Sequence, residues 1–530
     1  MRFTFLLLVS CLSYAASAQT GVDAAFSAYN RPDSPGCAVG VEHADEPAVI
    51  RTFGSADLEH QIPITPQTVF EAGSVSKQFT AAAVLTLVHQ GKLALADDVR
   101  TYLPELPDYG TKLTIEHLLN HTSGLRDWGD VEAIAGWPRG SRIYTLDTVL
   151  DIASRQRELN YRPGSEWLYT NTGFTLLAII VQRVSHLSLA EFTRQALFIP
   201  LGMKHTQWRD DFRRIVPNRA IAYGPAKAGF EQNMPFENAY GNGGLLTTIS
   251  DLLIWNRAFA NGRLDPFVAT ELQRIASLSD GSPVEYGRGL FIQTYKQVRE
   301  FSHSGSTAGY RAWLGRYPDH RLSIALLCNA ANADNRALAH KVADLYLPPV
   351  PDTPVGPAGT LKKLTGLYVD PDHGQVVQID LQGNSLRTDR GVQLVAAADN
   401  RFRAGDTNFQ FGDSTSLSVH NNDGSVLHFH RERQWNADAA TLSKLTGNYE
   451  IKEALVTYAI RLDSGRLTAT PLGHPDAAVT LRPIIEDTFV WGANGQGLLH
   501  FTRDPAGRVS GAEITTMHVR RMQIQQQKGP

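Results

Sequence analysis

The chain has 530 residues, 50 Lys and Arg against 53 Asp and Glu, and a formal net charge of −3 at pH 7. That length exceeds what a single hydrophobic core usually takes and points to two to four domains. Hydrophobic content of 42% and charged content of 19% describe an ordinary globular chain, and no basic tract offers nucleic acid an electrostatic footprint.

Residues 1–18 read as a secretory signal: Arg2, an apolar run from Phe3 to Leu12, and Ala16-Ser17-Ala18 before Gln19. The run is too short to span a bilayer, and no later segment reads as transmembrane. Cys11 follows Leu8-Val9-Ser10, but so early that lipidation is not expected. The expectation is a secreted or periplasmic protein. Cys37 and Cys328 then remain, each in a strand-like run. Two cysteines make no disulfide framework, so two buried, inert thiols are expected, with a disulfide as the alternative after export.

Residues 36–54 form two strand-like runs around a polar turn. The first helix starts near Val75 in "FEAGSVSKQFTAAAVLTLVHQGKL" and has no clean polar face, so it belongs inside a domain. Gly91 is its stop. Helical segments dominate to about Ala276, strands return with "GYRAWLGRYP" and "RLSIALLCNA", and a last helix covers about 332–345. Strands at both ends of a helical middle predict one sheet with helices packed on it. Five prolines then mark 348–360 as a semi-rigid linker. Beyond it the sequence repeats. Leu361, Lys363, Leu364, Thr365, Gly366 and Tyr368 recur as Leu442, Lys444, Leu445, Thr446, Gly447 and Tyr449, each 81 residues on. A period that long means two copies of a small domain, each with room for about eight short strands and so a small antiparallel barrel. The expected plan is a signal (1–18), an α+β catalytic domain (19–347), a linker (348–360) and two barrels (361–436, 437–530).

Three short patterns carry chemistry. Ser74 and Lys77 form an S-x-x-K at the start of the first helix. At i and i+3 they share a helix face. A cation is disfavoured at a helix N-terminus, and apolar surroundings ease loss of the lysine proton. Lys77 is thereby suited to activate the Ser74 hydroxyl, although a capping serine beside a solvated lysine has the same pattern. Tyr169-Thr170-Asn171 follows a Pro163-Gly164 turn at the mouth of an apolar helix. It presents a phenol for proton transfer and an amide for a substrate carbonyl. A packed tyrosine with a capping asparagine is its bland reading. Tyr240-Gly241-Asn242 is a rival, better read as a tight turn. His303-Ser304-Gly305 lies in a strand, where Gly305 lets a substrate approach a sheet edge. The N–H of Ser306 then completes an oxyanion hole with that of Ser74.

In this order, S-x-x-K, Y-x-N and H-x-G resemble the penicillin-recognising serine hydrolases: class C β-lactamases, D-alanyl-D-alanine carboxypeptidases, D-aminopeptidases and related esterases. "HLLNHTSGL", "PLGMKHTQW" and "GGLLTTISDL" extend the resemblance, which covers about 21–347. It implies a β-lactamase/transpeptidase-like domain with Ser74 as nucleophile and Lys77 with Tyr169 as its base pair. It further implies Asn171 and the H-x-G strand (His303, Gly305, Ser306) as the substrate-binding groups, without metal or cofactor. His303 stands where many relatives have a lysine that holds a substrate carboxylate, and a histidine is mostly neutral at pH 7. The H-x-G form and the two barrels are similar to D-aminopeptidases. The expected substrate is therefore a small molecule or peptide with a D-amino-acid-type amide or ester bond, cell-wall-derived compounds included. β-Lactam hydrolysis, carboxypeptidase action, carboxylester cleavage and an inactive cell-wall-ligand binder are the alternatives. His428 and His430 in "VLHFHRER" alternate along a strand without a nearby acidic or cysteine partner, and a polar strand face is expected rather than a zinc site. Arg288 in "YGRGL" and Arg311 are expected to be solvated.

Overall fold

The computed structural model describes residues 19–349, 361–398, 400–405, 407–421, 425–492 and 497–527. The expected signal and nearly all of the proline linker lie outside the described residues. Among those described, no single helix is long and apolar enough to cross a membrane.

The catalytic half has mixed α+β architecture. Both ends of the segment supply its main sheet: β1 (Cys37–His43), β2 (Val49–Phe53), β3 (Phe291–Tyr295), β4 (Val298–Thr307), β5 (Tyr310–Tyr317) and β6 (Leu322–Cys328), in spatial order β3-β4-β5-β6-β1-β2. Every neighbour is antiparallel. β4 outruns β3, which pairs only Val298 to Ser302. One edge of β4 from His303 to Thr307 is thus left for other contacts. The register sets Cys37 opposite Cys328, and the two are joined as a disulfide. The expectation of free thiols is therefore corrected: 291 residues of separation hide a pairing that only the sheet register creates.

The first helix, α1 (Lys77–His89), is buried along nearly its whole length, and Gly91 follows it at φ +67°. The helical layer also contains α2 (Trp128–Ile134), α3 (Leu146–Arg155) and α4 (Asn171–Ser185), while α5 (Ile249–Ala260) and α6 (Asn335–Ala343) pack on the sheet.

Two closed eight-stranded antiparallel barrels follow, one from Gly366–Asp370 to Val426–Glu432 and one from Gly447–Ile451 to Met522–Gln526. The repeat survives at atomic detail. Tyr368 donates its hydroxyl to Leu364 O at 3.0 Å, and Tyr449 donates to Leu445 O at 2.8 Å. His428 and His430 lie on the exposed face of their strand.

The second barrel is no loose appendage. Trp128, Val131 and Ile134 of α2 and Val149 and Ile152 of α3 share one hydrophobic cluster with its core. Tyr458 donates to Ile134 O at 2.7 Å. Arg126, 1% exposed, pairs with Glu453 and donates to Arg520 O at 3.2 Å. These contacts join residues more than 300 apart in sequence, which is why local patterns gave no sign of them.

Candidate active site

Ser74 sits in a tight 3-10 turn, Gly73–Ser76, that runs directly into α1. Two glycines press this turn against the open edge of β4. A Cβ on Gly73 would lie 2.5 Å from Ser306 N, and one on Gly305 would lie 2.0 Å from Ala72 O and 3.1 Å from Ser74 N. Gly73 also holds φ +51°, a conformation that costs glycine little. Gly305 therefore serves first the approach of the serine turn, and through it brings the amides of Ser74 and Ser306 to one place. Asn335 anchors the strand by donating to Gly305 O at 3.2 Å.

Lys77 is the first residue of α1 and is completely buried. Its Nζ lies 3.1 Å from Ser74 Oγ and donates to Asn171 Oδ1 at 2.9 Å and Asn242 O at 2.7 Å. The Tyr169 ring centroid lies 4.7 Å from Nζ. Burial pushes the lysine pKa well below its ordinary value; Asp127 opposes the shift and Arg139 adds to it. The N-termini of α1 and α4 both end at this amine, and their dipoles further disfavour a cation.

Asn171 reaches the lysine because the capping task falls elsewhere. Thr170, not Asn171, caps α4 and accepts from Thr172 N at 3.3 Å. Asp127 caps α2 through Gly129 N at 2.9 Å and takes Asn171 N at 2.6 Å with its other oxygen. Asn242 belongs to the rival Tyr-x-Asn. The strand Leu245–Thr247 pairs with Phe70–Glu71, and Leu245 N donates to Ser76 Oγ at 3.0 Å. This segment is thereby laid beside the serine turn, with the Asn242 carbonyl on Lys77. Sequence reasoning missed this contact because a backbone carbonyl leaves no residue signature.

His303 is 2% exposed. Its Nδ1 lies 2.6 Å from Ser304 O and its Nε2 3.3 Å from the Tyr286 hydroxyl. Burial and the nearby Lys77 lower its pKa to about 3, so the ring is neutral. A carbonyl only accepts, so Nδ1 carries the proton and Nε2 accepts from Tyr286 O–H. Tyr286 in turn accepts from His121 Nε2 at 3.1 Å, and His121 Nδ1 accepts from Thr170 N at 3.2 Å. The chain Thr170–His121–Tyr286–His303 thus fixes both tautomers and ties Tyr-x-Asn to H-x-G. Both His303 nitrogens are engaged within the protein. Mild acid therefore does not charge His303, because desolvation keeps it neutral far below pH 6. The signals for the chain were present in "HTSGL" and "YGRGL", but not the contact between them.

The two arginines expected in solvent are not there. Arg288 is 2% exposed and donates to Glu271 Oε2 at 2.5 Å and Glu116 Oε1 at 2.6 Å. Arg311 stands across from Ser306 in the β4–β5 register and donates to the carbonyls of Ala308 and Tyr310, both at 2.8 Å. Buried charge needs such partners; Arg288 finds them across elements distant in sequence, whereas the half-buried Arg311 finds them one and three residues away.

A serine turn on the edge of an antiparallel sheet, with a buried lysine on the hydroxyl, defines a serine hydrolase of the β-lactamase fold. A family model described as beta-lactamase matches residues 22–347, and the chain belongs to that family. "Penicillin-binding protein 4*" of Bacillus subtilis (strain 168) is 31% identical over 60% of this chain and 74% of its own length. "D-aminopeptidase" of Brucella canis is 25% identical over 91% of this chain and 93% of its own. Among solved structures, D-amino acid amidase from Ochrobactrum anthropi SV3 complexed with D-phenylalanine superposes with a TM-score of 0.54 at 21% identity. It covers 62% of this chain and 98% of that one, a likeness of fold.

Proposed function

We propose that this protein is an exported, D-aminopeptidase-like hydrolase that works through an acyl-enzyme on Ser74. The observation that carries the proposal is the set of three oxygens around the buried Lys77 amine. A neutral amine has two N–H groups and one lone pair. Asn171 Oδ1 and Asn242 O can only accept, so they take the two N–H groups, and the lone pair is left for the Ser74 hydroxyl proton. Lys77 then withdraws that proton as Oγ bonds to the substrate carbonyl carbon. The carbonyl electron pair moves onto its oxygen, which the N–H groups of Ser74 and Ser306 receive. The proton passes to the leaving amine or alcohol as its bond to carbon breaks, giving the acyl-enzyme. Water attacks the ester carbonyl carbon and gives a proton to the Lys77–Tyr169 pair, which returns it to Ser74 Oγ as the Oγ–carbon bond breaks and the acid leaves. The two groups titrate as a unit.

The substrate assignment rests on two supports. The D-aminopeptidase relative is matched along 91% of this chain, a span that includes the barrels. The neutral, internally bonded His303 offers no charge to a substrate carboxylate, which favours D-aminoacyl amides and small esters over penicillins. Export is supported by the residue 1–18 pattern and by the Cys37–Cys328 disulfide, since disulfides persist in oxidising compartments.

A second reading, action on carboxylate-bearing substrates, is favoured by one observation. Arg311 is a cation beside Ser306 bonded only to neutral carbonyls among the described residues. One experiment separates the readings. The protein is labelled with a fluorophosphonate, weighed intact, and then given D-aminoacyl amides, short acyl esters and a chromogenic cephalosporin side by side. Single labelling at Ser74 with faster turnover of the amide or ester supports the proposal. Preference for the cephalosporin, lost in Arg311→Ala, replaces it with the second reading. A folded protein that takes no label is a binding protein.

A further inference from the structure

Away from Ser74, two cavities meet where the barrels face one another. One, of about 800 Å³, is walled by core residues of the first barrel, among them Phe409, Val419, Leu427 and Phe429, with Met517 of the second barrel across from them. The other, of about 750 Å³, is lined by Arg390, Arg466 and Arg482, with Asp389 beside them. Val376, Arg390, Val479 and Gly492 line both, so one crevice runs from an apolar floor to a basic mouth.

Both ends are unusual for an unoccupied surface. Eight-stranded barrels either fill their interior with side chains or hold one small ligand, and here an end of the first barrel opens onto the crevice. At the mouth, strands Arg466–Pro471 and Val479–Ile485 pair with Leu467 opposite Leu481. That pairing ends there; Arg466 and Arg482 are the next residue of each strand, and Arg466 stands opposite Asp463 of the strand Val456–Asp463. Both arginines are exposed, and among the described residues neither has an ion-pair partner.

We infer that this crevice binds an anionic amphiphile. Its apolar tail lies against Phe409, Val419, Leu427 and Phe429, and its carboxylate or phosphate head lies on Arg466 and Arg482. Charge complementarity selects the head, since both guanidinium groups are exposed without an ion-pair partner among the described residues, and planar bidentate recognition suits either anion. Each cavity alone has the size of an ordinary ligand site. Asp130 and His518 line the crevice at another end, with His518 Nδ1 3.4 Å from Asp130 Oδ2, and none of Ser74, Lys77, Tyr169, Asn171 and His303 lines either cavity.

The test uses the full chain and a fluorescent undecanoate probe, displaced by dodecanoate, dodecyl phosphate, dodecanol or inorganic phosphate. Dodecanoate and dodecyl phosphate should displace at least about tenfold better than dodecanol or inorganic phosphate. Their ranking separates a fatty acid from a phospholipid-type head. Arg466→Glu/Arg482→Glu should weaken dodecanoate about tenfold or more, and Ala404→Trp, which fills the cavity from the barrel rim, should do the same. Fluorophosphonate labelling of Ser74 should not change in either. If the charge reversal fails to fold, Arg466→Gln/Arg482→Gln gives the same readout. Equal displacement by dodecanol, displacement by inorganic phosphate alone, or wild-type binding in both variants overturns the inference.

Discussion

Gly305→Ala tests the proposed oxyanion hole most directly. The new Cβ would lie 2.0 Å from Ala72 O and 3.1 Å from Ser74 N. An ordinary carbon–oxygen contact is well over about 3 Å, so something must move by about 1 Å or more. β4 cannot yield easily. Gly305 is paired with Ala312 in β5, which β6 flanks in turn, and Asn335 holds its carbonyl. The serine turn yields instead, and Ser74 N parts from Ser306 N. Loss of one oxyanion donor costs about 10²–10³ in kcat, and a 1 Å displacement of the nucleophile is of similar consequence. Because the oxyanion exists only on the reaction path, kcat and kcat/KM should fall together with KM little changed. The assay is steady-state hydrolysis of a small acyl ester, with the rate of fluorophosphonate labelling as a check on the acylation step and circular dichroism as a check on folding. A folded Gly305→Ala protein with kcat within about threefold of wild type would refute the placement of the two amides.

Ser74→Ala should abolish turnover and labelling in a folded protein, and Lys77→Ala should lose about 10²–10⁴ in kcat, the usual worth of a positioned base; intact mass and ester hydrolysis report both. The pH profile of kcat/KM for a neutral ester should rise to a plateau as the Lys77–Tyr169 pair loses its proton. Because the Lys77 pKa is lowered, that limb should fall below the ordinary lysine range. His303, at about 3, should add no limb between about pH 5 and 8, so the penicillin-to-ester ratio should stay flat across that window. Tyr286→Phe leaves His121 and His303 each short of a buried partner and should cost about 1–3 kcal/mol of stability, read by denaturant midpoint. Cys37→Ser should cost about 2–5 kcal/mol, and mild reductant should leave the buried bond of the native wild type intact, as thiol counting under native conditions would show.

The barrels bear on the site through position. Glu453→Ala removes the nearer carboxylate from Arg126, which is 1% exposed, and should cost up to about 3 kcal/mol, less than a fully broken buried pair, because Arg126 keeps Glu158 at 3.8 Å and Arg520 O. The next residue, Asp127, holds Asn171 N, so rates on D-aminoacyl amides should shift more than labelling by a small probe. Removing everything after Leu347 would bare the α2–α3 side of the shared cluster. Such a truncation should therefore lose stability as well as selectivity, contrary to what a linker alone suggests.

Much of the plan is written locally. The buried α1 follows from its apolar composition, the two barrels follow from a repeat carried by Tyr368 and Tyr449, and Ser74 with Lys77 is one turn of helix, so their contact needs no tertiary information. What the sequence could not decide are the contacts made between distant segments. The register of β1 on β6 turned two cysteines into a disulfide. The pairing of Leu245–Thr247 with Phe70–Glu71 put the Asn242 carbonyl on Lys77. The crossing of "HTSGL", "YGRGL" and β4 locked His303 in its neutral form. Helix and strand periodicity record which face of an element is buried. They do not record which partner buries it, and the pKa of Lys77, the tautomer of His303 and the burial of Arg288 depend on the partner.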